Sequence, residues 1–288
     1  MRGMNITLRP GKPEDVKVCA TICYEAFQRI SEAHNFTPDI PSSEIAAEVL
    51  GWMFSHPGFY TVVAEVDGRV VGSNVLDERN DIAGVGPITV DPSVQNKMIG
   101  RRLMEDVMAR ATDREFPGVR LVQAAFHNRS LSLYTKLGFD VREPLACMQG
   151  PALNLTVSGY AVRPATEADL SACDRVCRQV HGHRRSGELL DAIRRGTATV
   201  VEHFGRITGC ASIVGFFGYA VGETNEELKA LIGAAPGFAG AGFLLPTRNA
   251  ELFRWCLAHG LRVTQPMTLM SVGLYNQPTG AFLASITY

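Results

Sequence analysis

The 288-residue sequence carries no excess of either charge: 28 Lys and Arg stand against 29 Asp and Glu, a formal net charge of −1 at pH 7. That balance argues against broad binding to nucleic acid or to an acidic membrane surface. A long apolar run is also missing. Residues 233–245 are apolar but rich in Gly and Ala, and Pro236 and Pro246 bound them, so nothing reaches the length of a membrane span. No leader pattern opens the chain, because Arg9, Lys12, Glu14, Asp15 and Lys17 interrupt its first segment. The seven cysteines form no ladder. Cys19/Cys23 and Cys173/Cys177 are four apart within helical patterns, without the two-residue gap of common zinc and redox motifs. An odd number of scattered thiols fits reduced, mostly buried cysteines in a cytoplasmic protein. What is present, 46% hydrophobic and 20% charged residues, supplies full-sized cores for one large domain or two medium ones. The expectation is a soluble enzyme or binding protein, monomer or homodimer, without nucleic-acid or membrane partners.

The chain begins twice. Ile6-Thr7-Leu8-Arg9-Pro10 followed by Glu14 and Asp15 is echoed by Tyr160-Ala161-Val162-Arg163-Pro164 followed by Glu167 and Asp169. Each is a short apolar strand, an Arg-Pro stop and an acidic helix start, the carboxylates suiting the positive end of the helix. Helices are expected at 14–33 and 167–180. Repeated order at this distance implies duplication of one fold, with a boundary at 150–159 where Gly-Pro and Ser-Gly punctuate the chain.

Hydrophobic periodicity predicts a hairpin of strands 59–65 and 70–76 around Asp67-Gly68, then a strand at 84–90. Ile99, Leu103, Val107 and Ala111 give the next helix one apolar face. A strand at 119–124, a helix at 130–137 and a strand from Phe139 complete the half. The second half reads more loosely: strands 198–202 and 208–214, helix 223–234, strand 240–245, a helix capped by Asn249, and strands 268–272 and 282–286. The fold class is therefore α/β (α+β), each half a mixed, mostly antiparallel sheet flanked by helices.

The chemistry concentrates at Val90-Asp91-Pro92-Ser93-Val94-Gln95-Asn96-Lys97-Met98-Ile99-Gly100-Arg101-Arg102. A strand, a tight loop and a helix start place unpaired N–H groups and basic side chains where a phosphate can sit. Gly100 permits close approach, and Arg101, Arg102 and Lys97 offer charged donors. An ordinary basic helix start is the plainer alternative.

With Asn128-Arg129-Ser130-Leu131-Ser132-Leu133-Tyr134-Thr135-Lys136-Leu137-Gly138-Phe139 downstream, this order resembles the GNAT acetyltransferase superfamily over residues 5–150. That family's cofactor motif is Gln/Arg-x-x-Gly-x-Gly/Ala, and Met98 stands at its first glycine. A Cβ there is harmless if the backbone is right-handed, whereas an inward side chain would crowd the loop. The resemblance implies two tandem GNAT-like domains. Residues 1–150 would hold acetyl-CoA between diverging strands, and residues 151–288 would be a divergent copy lacking the pyrophosphate motif. It further implies pantetheine contacts around Ile88, Thr89 and Val90, pyrophosphate contacts from Gln95 to Arg102, Asn128 beside the pantetheine arm, and Tyr134 near the thioester sulfur.

The implied reaction is direct transfer of an acetyl group from acetyl-CoA (coenzyme A) to a primary amine of a small molecule or peptide, with Tyr134 as general acid. A non-catalytic acyl-CoA sensor and a transferase using another acyl donor remain open readings. No carboxylate lies within 82–90 to serve as base. Asp77, Glu78 and Asp81, then Glu32 and His34, and finally His127 are the alternatives, beside deprotonation through water. His181 and His183 have metal-compatible spacing, but Arg184 and Arg185 disfavour a cation, so no metal site is expected and a solvated loop or acceptor-facing rim is the better reading.

Overall fold

The computed structural model describes residues 5–287, so the ends of the two expected domains, residues 1–4 and 288, lie outside the described residues. The first half runs β1 (Ile6–Pro10), α1 (Val16–Ala33), α2 (Ser43–Ser55), β2 (Phe59–Val66), β3 (Arg69–Asp77), β4 (Ala83–Val85), β5 (Thr89–Val90), α3 (Ile99–Asp113), β6 (Gly118–Ala124), α4 (Asn128–Lys136) and β7 (Asp140–Gln149). The second runs β8 (Tyr160–Pro164), α5 (Leu170–His181), α6 (Ser186–Arg194), β9 (Thr199–His203), β10 (Arg206–Ala211), β11 (Ala220–Gly222), α7 (Asn225–Ala234), β12 (Phe243–Pro246), α8 (Ala250–Ala258), β13 (Arg262–Gly273) and β14 (Ala281–Leu283). Helices α2 and α6 are not among the elements expected from sequence. The strand expected at 84–90 is split into β4 and β5, and that split creates the site.

The repeated openings are built alike down to single bonds. Arg9 reaches Asp15 at 2.7 Å and Glu65 at 2.7 Å, while Arg163 reaches Asp169 at 2.8 Å and Glu202 at 2.7 Å. In both, the carboxylate also accepts the backbone N–H three residues before it, from Lys12 at 2.9 Å and Thr166 at 2.8 Å. One Arg thus ties strand end, helix start and neighbouring strand together in each half.

The halves do not keep their sheets to themselves. A nine-stranded sheet has the order β1-β2-β3-β4-β6-β13-β7-β12 with β5 on β3, and a five-stranded sheet has the order β14-β11-β10-β9-β8. Strand β13 lies antiparallel between β6 (Met270↔Leu121) and β7 (Pro266↔Ala146), and β7 pairs in turn with β12 (Leu244↔Cys147). The two halves therefore exchange equivalent strands, each completing the other's sheet edge. Apolar packing follows. Ile99, Leu103, Val107 and Ala111 of α3 are buried with Met270 of β13 in one core, and all seven cysteines are free and buried.

Candidate active site

Strands β4 and β6 are parallel neighbours only at Ala83↔Val119 and Gly84↔Arg120. Past Gly84 the chain leaves β6, and β5 joins β3 instead at Gly72↔Val90 and Ser73↔Thr89. Strand β6 continues alongside β13 as far as Ala124. Between the diverging strands opens a cavity of about 770 Å³ lined by residues 85–90 on one side and 121–124 on the other.

The turn before α3 forms its mouth. The first backbone bond of that helix runs from Arg102 N–H to the Met98 carbonyl at 3.0 Å. The preceding N–H groups thus have no acceptor within the helix and sit at its positive end, an arrangement suited to an anion. Met98 has φ +68°, in the left-handed region, so the right-handed backbone that would make its Cβ harmless is not present. Its side chain is 60% exposed and does not fill the turn. Gly100 faces Val90 and Leu133, whose methyls lie 3.7 and 3.9 Å from where a Cβ would stand.

Ile88, Thr89, Val90, Gln95, Asn96, Met98, Ile99, Gly100, Arg101, Asn128 and Tyr134 all line this cavity. Lys97 and Arg102 do not. Arg102 turns back to donate to the Ile6 carbonyl at 2.7 Å, because it occupies the face of α3 next to β1. Arg101 pairs with Glu105 one turn on, at 2.7 Å. The Val90 carbonyl accepts the Gln95 side-chain amide at 3.1 Å, which holds the turn against β5.

Tyr134 is 6% exposed and packs 6.2 Å from the Phe139 ring. Burial pushes its hydroxyl up to about 12, and a hydrogen bond with Ser130 pulls it partly back. The Ser130 hydroxyl is also 2.5 Å from Nδ1 of His127, so the three form a chain along the start of α4. Desolvation, then the charge of Arg129, lowers His127 to about 4, leaving the imidazole neutral at pH 7.

The alternative bases are otherwise engaged. Asp77 pairs with Arg79 at 2.6 Å, Glu78 with Arg110 at 2.7 Å and Asp81 with Arg184 at 3.0 Å. Glu32 accepts from Gln28 at 2.7 Å, and His34 packs on Phe126 with ring centroids 5.2 Å apart. None of these five lines the cavity, whereas His127 does.

His181 and His183, expected in a solvated loop or rim, are 3% and 5% exposed. Gly182 ends α5 at φ +79° and folds the segment inward, where the His181 ring meets Phe282 edge-on at 5.0 Å. Desolvation lowers both imidazoles, His183 to about 4. Among the described residues no group of three or more His, Cys, Asp or Glu is placed to hold a metal ion.

Sequence reasoning missed several lining residues. Arg129 sits inside the quoted Asn128 motif and donates to Gln95 Oε1 at 2.9 Å and Asn96 Oδ1 at 3.2 Å. Asp39 lies in the segment between α1 and α2, the one signal being a carboxylate between Pro38 and Pro41. Phe216, Phe217, Met267, Ile286 and Thr287 reach the cavity from the second half, a proximity with no local sequence signature.

In the second half the corresponding opening is closed. Strand β14 pairs antiparallel with β11 (Val221↔Phe282), and the Ala284 N–H donates to the Leu244 carbonyl of β12 at 2.9 Å. The end of the chain is thus wedged between the two strands whose counterparts diverge around the cavity. No helix of the described residues is long and apolar enough to cross a membrane.

Comparison with known proteins agrees with this geometry. The Acetyltransferase (GNAT) family model matches residues 24–139, within the first half. No curated protein matches the chain by sequence. Among solved structures, a Pyrococcus horikoshii protein classed as an acetyltransferase is similar at TM-score 0.74 and 15% identity, over 98% of this chain and 95% of its own. A GCN5-related N-acetyltransferase from Sphaerobacter thermophilus is similar at TM-score 0.60 and 16% identity, over 94% and 96%. A tandem GNAT protein from the clavulanic acid biosynthesis pathway is similar at 0.56 and 13%, over 93% and 98%. The fold is that of tandem GNAT proteins.

Proposed function

We propose that the protein transfers an acetyl group from acetyl-CoA directly to a primary amine of a small molecule or peptide. The observation that carries this reading is a single cavity joining an open helix N-terminus, two diverging strands and the buried Tyr134 hydroxyl. The cavity suits an elongated donor with a diphosphate: N–H groups of the turn at 95–101 take the phosphates, and residues 88–90 with Asn128 flank the arm. Residues 1–150 supply the donor site in this reading, and residues 151–288 are the divergent partner that walls the cavity.

A thioester supplies an activated acyl carbonyl, and the chain's own groups act around it. A backbone amide near Val90 stabilises charge developing on the carbonyl oxygen. Tyr134, kept protonated by burial, gives its proton to the departing sulfur. Ser130 and His127 form the path by which that proton is replaced.

The test is acetyl-CoA turnover against pooled primary amines, with Gly100→Glu and Tyr134→Phe as controls. Binding should be lost in the first variant. In the second, turnover should fall at least 100-fold while binding persists. Tight coenzyme A binding by the unaltered protein, with no turnover on any amine and no effect of Tyr134→Phe, would instead make it a sensor.

A further inference from the structure

One wall of the cavity, away from the turn at 95–101, has a distinct chemistry. Among the described lining residues Asp39 is the only carboxylate, and it is 7% exposed. It is held by the side-chain amide of Gln265, which comes from β13, 226 positions away. No other hydrogen bond reaches its carboxylate among the described residues. Gln265 is aimed there by a bulge: the pairing of β13 with β7 shifts between Val263 and Gln265, and such a bulge redirects the next side chain.

Two further features accompany it. Gln123 of β6 lines the same cavity at 6% exposure, and among the described residues neither of its side-chain amide atoms has a hydrogen-bond partner. A buried amide in that state calls for a polar group on a ligand. Around these groups the wall is apolar, built from Phe27, Ile30 and Ile40 of the first half and Phe216, Met267 and Ile286 of the second.

Resting on the acetyl-CoA reading above, we propose that Asp39, positioned by Gln265, binds the acceptor as a primary ammonium on an apolar body and is the general base that deprotonates it. One ammonium proton passes to the Asp39 carboxylate. The nitrogen–carbon bond forms and the carbon–sulfur bond breaks, the sulfur taking the Tyr134 proton. The second nitrogen proton restores Tyr134, and the Asp39 proton leaves to solvent. One proton is released per amide formed.

Burial is the main cause that raises Asp39 to about 6, and the Gln265 amide opposes it. Other titratable groups lining the cavity are Cys23 and Arg29 of α1, Arg101, His127, Arg129, Tyr134 and Lys136; Cys147 of β7 also interacts electrostatically with Asp39, its thiol pushed up to about 11 mainly by burial. At pH 7 the carboxylate is mostly ionised and close enough to the working pH to accept a proton.

The test uses the full chain, with 2-phenylethylamine, glutamate and spermidine as acceptors and calorimetry for acetyl-CoA binding. Phenylethylamine should be acetylated in preference to the other two. Its kcat/KM should rise through a limb near pH 6 and then stay flat until the amine's own pKa. In Asp39→Asn, turnover at pH 7 should fall at least 100-fold, and the profile should climb about tenfold per pH unit toward that pKa. Acetyl-CoA affinity should stay within twofold, which also shows that the variant is folded. Gln265→Leu should move the limb upward by removing the bond that favours the carboxylate. Retention of turnover within threefold in Asp39→Asn, or of its pH 6 limb, overturns the proposal. So does preferential acetylation of glutamate or spermidine. Acetyl-CoA binding without acetylation of phenylethylamine overturns the acceptor assignment alone, whereas absence of acetyl-CoA binding overturns the donor reading with it.

Discussion

The guanidinium of Arg129 lies 2.9 Å from Gln95 Oε1 and bridges the turn before α3 to the helix that carries Tyr134. Its second acceptor, Asn96 Oδ1 at 3.2 Å, is also an uncharged amide oxygen. A phosphate is a stronger partner for a guanidinium than either amide. Arg129→Ala should therefore weaken coenzyme A binding by about tenfold, roughly 1.4 kcal/mol, and flatten its dependence on salt. Calorimetric titration at two ionic strengths checks both effects. Unchanged affinity at low salt would remove Arg129 from the phosphate site.

Gly100 separates tolerance of the fold from tolerance of the ligand. A Cβ meets Val90 and Leu133 at ordinary contact distances, and the position needs no left-handed backbone. Gly100→Ala should keep the fold and add about 0.5–1 kcal/mol of helix stability. Gly100→Glu places a like charge where phosphate is expected and should abolish coenzyme A binding with the melting temperature little changed. Thermal melting beside calorimetry reads both.

Met98 tests the cost of the departure from the motif. A left-handed non-glycine residue costs about 1–2 kcal/mol, while glycine's greater freedom in the unfolded chain returns part of that. Met98→Gly should raise the melting temperature by about 1–2 °C. It should leave coenzyme A affinity intact, since the exposed thioether does not occupy the turn. A lower melting temperature would show that the side chain contributes packing instead.

Asp39 should show a conflict between stability and activity. With its folded value raised to about 6 from an ordinary 3.8, the folded protein holds a proton that the unfolded chain gives up between those values. The stabilisation is complete below about pH 4 and is lost as pH rises through 6, so at pH 8 the buried carboxylate opposes folding. The shift of about two pH units corresponds to at most about 3 kcal/mol. Asp39→Asn should therefore gain stability over the unaltered protein at pH 8 and gain little at pH 4.5, as read from urea midpoints. Equal effects at the two pH values would show that the carboxylate is not desolvated.

Local pattern made much of this molecule readable. The apolar row Ile99, Leu103, Val107 and Ala111 fixes which face of α3 meets the sheet, and the Arg9 and Arg163 openings mark the repeat because each corner closes within a short segment. The turn at 95–102 was legible for the same reason. Missing from sequence were relationships set by distant strands: the entry of β13 between β6 and β7, and with it the meeting of Gln265 and Asp39. Met98 shows a further limit. Its side chain could be weighed from sequence, but its left-handed backbone is set by the turn. The charge of Arg102 suggests a phosphate contact, while the helix face it occupies directs it to Ile6.

The traded strands β7 and β13 govern how the chain can come apart. Severing it near residue 155 would deprive each fragment of an interior strand rather than of an appendage, so neither fragment retains a continuous sheet. Heating the intact protein should consequently yield one cooperative melting transition instead of two. A chain that reads as two consecutive modules would then respond to temperature as a single thermodynamic body.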